Sequence, residues 1–553
     1  MLTQGQRIFI KIRLIKAPTT MQAPIPLNQI AFAVLDLRRT DAWWREGLGF
    51  LPAGGNRMLF RGPVTGMIQS IRGLAMTCWC LVGRSAWAQL EMFQYESPHS
   101  ALMPSDYRAC DLGYSRCGVW VTDFDAALAS LAAQGSTALA PPMGALGQRR
   151  ACVRNPDGVY VEIMEADPLT GGGDVGRTGS RMDCPVAIRC VTLSTPDLEK
   201  TTAFLTHGLG MRVIDIALHD DAQEAIWNLE GARCTRRVFM GGSGNETMLL
   251  EAVQYHDPLG QPFPAGYRLC DQRILNVAFG DPSGPAGLRS MRRRALAAGA
   301  TPNCPHIQMG VAGCVYVQDP LGFSFEFMWA RWKLGHRLFG FLPSPIHKRP
   351  QADNQKFVVT TEIAAPIASV FSRVSDHANL GDWSGLGASR LLRAGDTAAN
   401  GRGAVRGIRG PLGEIHEEVT HFVPNTSYRY RVIKGLPVRC YTAEVAVEPC
   451  TVNGQAGTRV HWQVRFRSRI PGLGGVLRHA LHKKILGALV GLKTVLDSPA
   501  SNQRDALANT RAIAPSGGKP MAIAKAVARN VTLSAVVSTV VMAAGHAYFY
   551  YFG

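Results

Sequence analysis

The chain has 553 residues, 46% of them hydrophobic and 18% charged, with a mean hydropathy near zero. That balance excludes a disordered polymer and a wholly membrane-embedded protein, and the length suits three or four domains with cores of their own. The net charge of +18 admits anionic partners, but the basic residues are spread over strand-like segments and no nucleic-acid motif accompanies them. Nucleic acid is therefore not an expected partner, and alternating arginines such as Arg402, Arg406, Arg409, Arg429, Arg431 and Arg465 read as a solvated strand face. The thirteen cysteines include no Cys-x-x-Cys pair, and read as reduced, buried thiols of a cytoplasmic protein.

Residues 1–22 form an N-terminal extension whose apolar residues are interrupted by charge, unlike a secretory signal, and Met21 is an alternative start. From residue 23 a pattern begins that occurs twice. Gln94-Tyr95 and Tyr107-Arg108-Ala109-Cys110-Asp111 return as Gln254-Tyr255 and Tyr267-Arg268-Leu269-Cys270-Asp271, displaced by 160 positions. Asp36-Leu37 with Gly47-Leu48-Gly49 returns as Asp197-Leu198 with Gly208-Leu209-Gly210, and Asn155-Pro156-Asp157-Gly158 with Glu162 returns as Asp319-Pro320-Leu321-Gly322 with Glu326. Register held over this length means a duplicated domain, 23–170 and 185–332, joined by a linker at 171–184. Each copy also contains a smaller repeat. A strand ending in Val-x-Asp (Val34 to Asp36, Val121 to Asp123) precedes a helical stretch, Leu37 to Glu46 or Phe124 to Gln134, that stops at Gly47 or Gly135. Further strand-like runs follow, so each copy is two βαβββ modules.

This arrangement resembles the vicinal-oxygen-chelate superfamily of glyoxalase I, bleomycin-resistance proteins and extradiol dioxygenases. The resemblance implies an α+β fold in which paired modules form a cleft, and four strand positions reach a divalent metal (Fe, Mn, Zn or Ni) that polarises two adjacent substrate oxygens. Carried over position by position, copy one supplies Gln29, Glu91, Arg116 and Glu162, and copy two Cys190, Glu251, Asn276 and Glu326. None is histidine, and Arg116 stays protonated and cannot ligate. Two readings remain open. Gln29, Glu91 and Glu162, and more weakly Cys190, Glu251 and Glu326, hold a metal with Glu162 or Glu326 as general base; or Arg116 replaces the metal by bridging Glu91 and Glu162, and the cleft only binds. Tyr107-Arg108 and Tyr267-Arg268, with Arg116, are candidates to line the cleft mouth and hold substrate. The alternative is structural, with each Arg pairing Asp111 or Asp271.

A basic linker at 333–354 leads to a third domain over 355–498. A strand containing Val358, Thr360 and Glu362 is followed by Ala365-Pro366, which opens a helix bearing Val370, Phe371 and Val374. Strands are expected over 414–422, 428–434, 441–448 and 458–467, and a closing helix over 475–497 carries a leucine-rich stripe. This resembles the helix-grip domains of the START-like (SRPBCC) superfamily, which includes polyketide cyclases and lipid-transfer proteins. The resemblance implies an apolar cavity for a hydrophobic small molecule. His416, His421, His461, His479 and His482 show no spacing that marks an acid–base site.

A polar tether at 499–529 leads to residues 530–553, an uncharged apolar stretch preceded by Lys519, Lys525 and Arg529 and ending in aromatic residues. It reads as one membrane-spanning helix anchoring cytoplasmic domains, with a helix packed on the third domain as the alternative. The expected function is glyoxalase- or dioxygenase-type chemistry on a hydrophobic molecule with vicinal oxygens. The alternative is a non-catalytic carrier with degenerate metal sites. The full-length chain is expected to sediment with membranes after detergent-free lysis, and a chain ending at Asp497 to remain in the supernatant. Full-length protein in the supernatant refutes the anchor.

Overall fold

The computed structural model describes residues 25–497 apart from 57–58, 170–173, 175–176, 242–246, 351–352 and 411–412. The tether and the expected spanning segment, and most of the N-terminal extension, lie outside the described residues. Among the described residues no helix is long and apolar enough to cross a membrane. The fold is α+β and rests on three sheets of ten, seven and seven strands.

The modules form where the local chemistry directs them. Asp36 accepts a hydrogen bond from the Arg39 amide and so caps the helix Leu37–Leu48; Asp123 and Asp197 cap Phe124–Ala133 and Leu198–Ala203 in the same way. The first helix ends later than expected, at Gly49, whose left-handed φ of 84° provides the stop. Gly47 has another role. A Cβ there would lie 2.8 Å from the Leu131 side chain, so this glycine lets the helix approach Phe124–Ala133 closely.

The sequence repeat is not the packing repeat. Strand Leu27–Val34 of copy one pairs antiparallel with Arg273–Asp281 of copy two, which joins the first module to the fourth in the ten-stranded sheet. Gly113–Val121 pairs antiparallel with Val186–Ser194, which joins the second module to the third in the seven-stranded sheet. Each central strand is buried on both faces, with Leu27, Ile30, Phe32 and Val34 entering one large core that runs through all four modules. The expected division into a cleft per copy gives way because the open strand of each module finds its antiparallel partner in the opposite copy.

The third sheet, from Ala388–Arg393 at one edge to Gln355–Ile363 at the other, curls against the helix Gly474–Asp497. Ile485, Leu489, Leu492 and Val495 enter a core with Trp383, Trp462, Tyr428 and Tyr430. The opposite face of this sheet is not the solvated surface that its arginines suggested. Arg431 donates to the Ser100 carbonyl (2.5 Å), Arg402 to the Met103 carbonyl (2.6 Å), and Glu96 accepts from the Cys440 amide (2.9 Å). Arg406 points inward and pairs with Glu417 at 2.7 Å. The linker packs too: Phe341 stacks on Trp87 at 4.0 Å, and the Ser344 amide donates to the Pro52 carbonyl.

Fragment 23–170 alone leaves the edges of Leu27–Val34 and Gly113–Val121 unpaired. It is expected not to fold as a monomer, and to form a one-to-one complex when mixed with fragment 185–332. Sedimentation and amide exchange read both outcomes, and a cooperatively folded, monomeric 23–170 contradicts the strand exchange.

Candidate functional site

All four modules hold a glutamate in the same register. Ala31 lies beside Glu91, Gly118 beside Glu162, Thr192 beside Glu251 and Ala278 beside Glu326 across parallel strand pairs. Two residues earlier on the first strand of each pair stand Gln29, Arg116, Cys190 and Asn276. Strand exchange sorts these eight into two sets that the sequence had grouped differently. Gln29, Glu91, Asn276 and Glu326 share the ten-stranded sheet, and Arg116, Glu162, Cys190 and Glu251 the seven-stranded one. Arg116 consequently does not bridge Glu91 and Glu162.

On the seven-stranded sheet the place for a metal is taken by a side chain absent from the sequence reading. His219 contacts Glu251 through Nδ1 and Glu162 through Nε2, each at 2.8 Å, and its ring is fully buried. Arg150 pairs with the other oxygen of Glu162 at 2.7 Å. Arg116 lies 3.4 Å from Glu251, donates to the Tyr255 hydroxyl at 2.8 Å, and stacks over Trp227 with 3.8 Å to the ring centroid. Tyr255 in turn donates to Glu224, which Arg236 approaches at 3.4 Å. Three glutamates thus face three arginines and one histidine. Burial alone raises the Glu162 and Glu251 carboxyls, but His219 with Arg150 or Arg116 outweighs it and holds both at about 2. Burial lowers the basicity of His219, and the two glutamates more than restore it. The Cys190 thiol is pushed well up by burial and by Glu162. This set does not fit a metal: a bridging cation already neutralises the carboxylates, and Cys190 stays protonated. Glu162, proposed from the sequence as a base, is too weakly basic here to take a proton.

The ten-stranded sheet presents the opposite electrostatics. Gln29 donates from one amide nitrogen to Glu91 at 2.7 Å and to Glu326 at 3.1 Å, while its oxygen accepts from Gln89 at 2.7 Å. The Cys78 thiol donates to Glu91 at 3.2 Å, and Cys78, Cys80 and Glu91 bring donor atoms within 4.8 Å of one another. Among the described residues no Lys, Arg or His bonds or pairs with Glu91 or Glu326. Burial raises the Glu91 carboxyl to about 7, and burial plus the charge of Glu91 raises Glu326 to about 8. Asn276 is fully buried with neither side-chain atom hydrogen-bonded, and the Gln89 oxygen likewise has no donor. Two carboxylates lacking a counter-charge, beside an unused amide and two thiols, fit a bound cation.

A cover lies over this site. Phe341, Trp87, Ile68 and Phe339 gather around Ala278, Cys314 and Met328, and a Cβ on Gly340 would come within 2.6 Å of the Cys80 sulfur and 2.9 Å of the Gln89 oxygen. The Tyr-Arg pairs stand elsewhere. Arg108 binds Asp111 (2.8 Å) and the Leu259 carbonyl, and Arg268 binds Asp271 (2.6 Å) and the His99 carbonyl. Tyr107 and Tyr267 both lie against Arg273, with 5.3 and 5.1 Å from its guanidinium carbon to the ring centroids. Each pair therefore staples a loop of one copy to the other. In the third domain the interior is not purely apolar: His377, fully buried, sits 3.1 Å from Arg406, and its Nε2 has no partner.

Residues 354–497 match the family model described as polyketide cyclase / dehydrase and lipid transport. Among solved structures the chain is similar to glyoxalase I from Zea mays, at 16% identity and a TM-score of 0.36, covering 55% of this chain and 92% of that one. A putative dioxygenase from Bacillus subtilis is 11% identical with a TM-score of 0.39, covering 56% and 86%. A START superfamily protein from Mycobacterium smegmatis is 13% identical with a TM-score of 0.23, covering 26% and 97%. No curated protein matches. Residues 354–497 are thus polyketide-cyclase-like.

His219→Ala leaves two buried glutamates without their shared cation, and is expected to cost about 3–5 kcal/mol of stability. Urea unfolding measures it, and an unchanged midpoint removes His219 from the charge network. Glu162 and Glu251 are depressed in the folded state, so the stability they lend is present above the ordinary carboxylate value of 4.5 and lost as pH falls towards 2. A Glu162→Gln, Glu251→Gln chain is expected to show a shallower loss over that acid range.

Proposed function

We propose that the protein is a metal-dependent enzyme of glyoxalase or dioxygenase type with one working site, on the ten-stranded sheet. Its substrate is a hydrophobic small molecule presenting two adjacent oxygens, and the third domain binds the same or a related compound. One observation carries the reading: among the described residues Glu91, half-buried, and Glu326, buried, meet no counter-cation, whereas their equivalents Glu162 and Glu251 share His219 and each meet an arginine.

Glu91 and Glu326 would hold the cation, with Gln29, Asn276 and the thiols of Cys78 and Cys80 available around it. Zinc suits this mixture of carboxylate and thiol donors best. Bound there, the metal would act as a Lewis acid towards the paired substrate oxygens. Gln29 at present turns its NH2 to both carboxylates. Turning over the Gln29 and Gln89 amides together keeps a hydrogen bond between them, now donated to the orphan Gln89 oxygen, and aims the Gln29 oxygen at the carboxylate pair. Glu326 is the group we assign to move a substrate proton, a role closed to Glu162 by its pairing with His219 and Arg150. Phe339, Phe341 and Trp87 would shut water out over an apolar substrate.

The purified full-length chain, loaded with zinc and dialysed, is expected to retain about one metal per chain by elemental analysis. Glu91→Gln and Glu326→Gln are each expected to lose it, while Glu162→Gln keeps it. Affinity should weaken as pH falls below 7, because protons then compete for the two carboxylates. A folded chain that holds no metal leaves the carrier reading, and two metals per chain would return the histidine-bridged site to consideration.

A further inference from the structure

A cavity of about 410 Å³ lies between the helix Leu37–Leu48 of the duplicated region and the outer face of the third sheet. Its wall carries six guanidiniums, of Arg38, Arg39, Arg45, Arg349, Arg429 and Arg465. It also carries four carboxylates, of Asp36, Asp41, Glu46 and Glu444. The pairing is uneven. Arg38 is taken by Asp353 (2.7 Å), Arg45 by Asp41 (3.0 Å) and Arg429 by Glu444 (2.8 Å), while Asp36 caps its helix. Among the described residues Arg39, Arg465 and the exposed Arg349 have no side-chain ion pair or hydrogen bond, and the Nε atoms of Arg39 and Arg465 are buried without an acceptor.

Such an arrangement costs stability unless something supplies acceptors. Removing a guanidinium N–H from water without replacing its hydrogen bond is unfavourable, and burial, the largest influence on Arg39, lowers its basicity despite the nearby charges of Glu444, Asp36 and Asp157. We propose that this interdomain cavity is a binding site for a phosphorylated small molecule, its phosphate held by Arg39, Arg349 and Arg465. Several guanidinium forks around one point match a tetrahedral oxyanion, which offers acceptors in several directions, better than a planar carboxylate. The volume also leaves room for an organic group attached to the phosphate. Both walls are needed, because Arg39 belongs to the duplicated region and Arg465 to the third domain.

The test uses the full-length chain in a chloride buffer, with inorganic phosphate, glycerol phosphate and succinate titrated by calorimetry. Saturable binding of both phosphates is expected, with at least tenfold weaker binding in Arg39→Gln and Arg465→Gln and no change in Arg459→Gln, which alters an exposed ion pair on the same sheet. Tighter binding of glycerol phosphate assigns the site to an organic phosphate, whereas equal affinity assigns it to the phosphate group alone; both support it. Without phosphate, the two cavity variants should unfold at the same temperature as the parent chain or higher, since each removes an unpaired charge. Absence of saturable binding, undiminished binding in both cavity variants, succinate binding as tightly as phosphate, or a lowered unfolding temperature in both variants each overturns the proposal.

Discussion

A carboxylate taken out of water must find a cation or keep its proton, and the arrangement of both module sites follows from how this is met. Four glutamates occupy one register position in four modules. On the seven-stranded sheet the charge is met from within, by His219, Arg150 and Arg116. On the ten-stranded sheet the groups that bond the pair are neutral among the described residues (the Gln29 amide, the Cys78 and Cys314 thiols and the Tyr316 hydroxyl), so the demand stays open to a proton or a metal. The same backbone geometry therefore holds a structural centre and a chemically available one.

Strand exchange explains how the two could diverge. Each site draws one half from either copy, so a substitution in copy one never belongs to a copy-one site. Arg116 stands beside Glu251 of copy two, and Gln29 beside Glu326. His219 arrives from a copy-two segment ahead of the 3-10 helix Ala222–Trp227, yet it closes on Glu162 of copy one. Divergence of the copies therefore produced one site of each type rather than two intermediate ones.

The sequence makes the modules, the four equivalent glutamates and the helix-grip domain legible, because each is written in local periodicity, caps and a repeat held in register. Third-domain strands expected over 414–422 and 458–467 occur as Gly413–Val423 and Gln455–Ser468. Pairing between copies is not legible, since the same alternating strand pattern serves a partner in either copy. His219 left no signal either: it sits outside the strands, and no spacing ties it to glutamates 57 residues before it or 32 after it. The alternating arginines of the third domain misled for a related reason. A strand face that docks on another domain through charged side chains has the same sequence pattern as one that faces water.

The linker binds these features into one system. Residues 339–341 cover the available site, Ser344 is tied to Pro52, Asp353 holds Arg38, and the third sheet begins at Gln355. The described parts of this linker thus reach from the cover to the domain junction, with Arg349 at the arginine-lined cavity. Movement of Phe339 to Phe341 away from Cys80 and Gln89 would pull on contacts that seat the third domain. Packing around Glu91 and Glu326 and packing between the two domains are therefore coupled through one short linker.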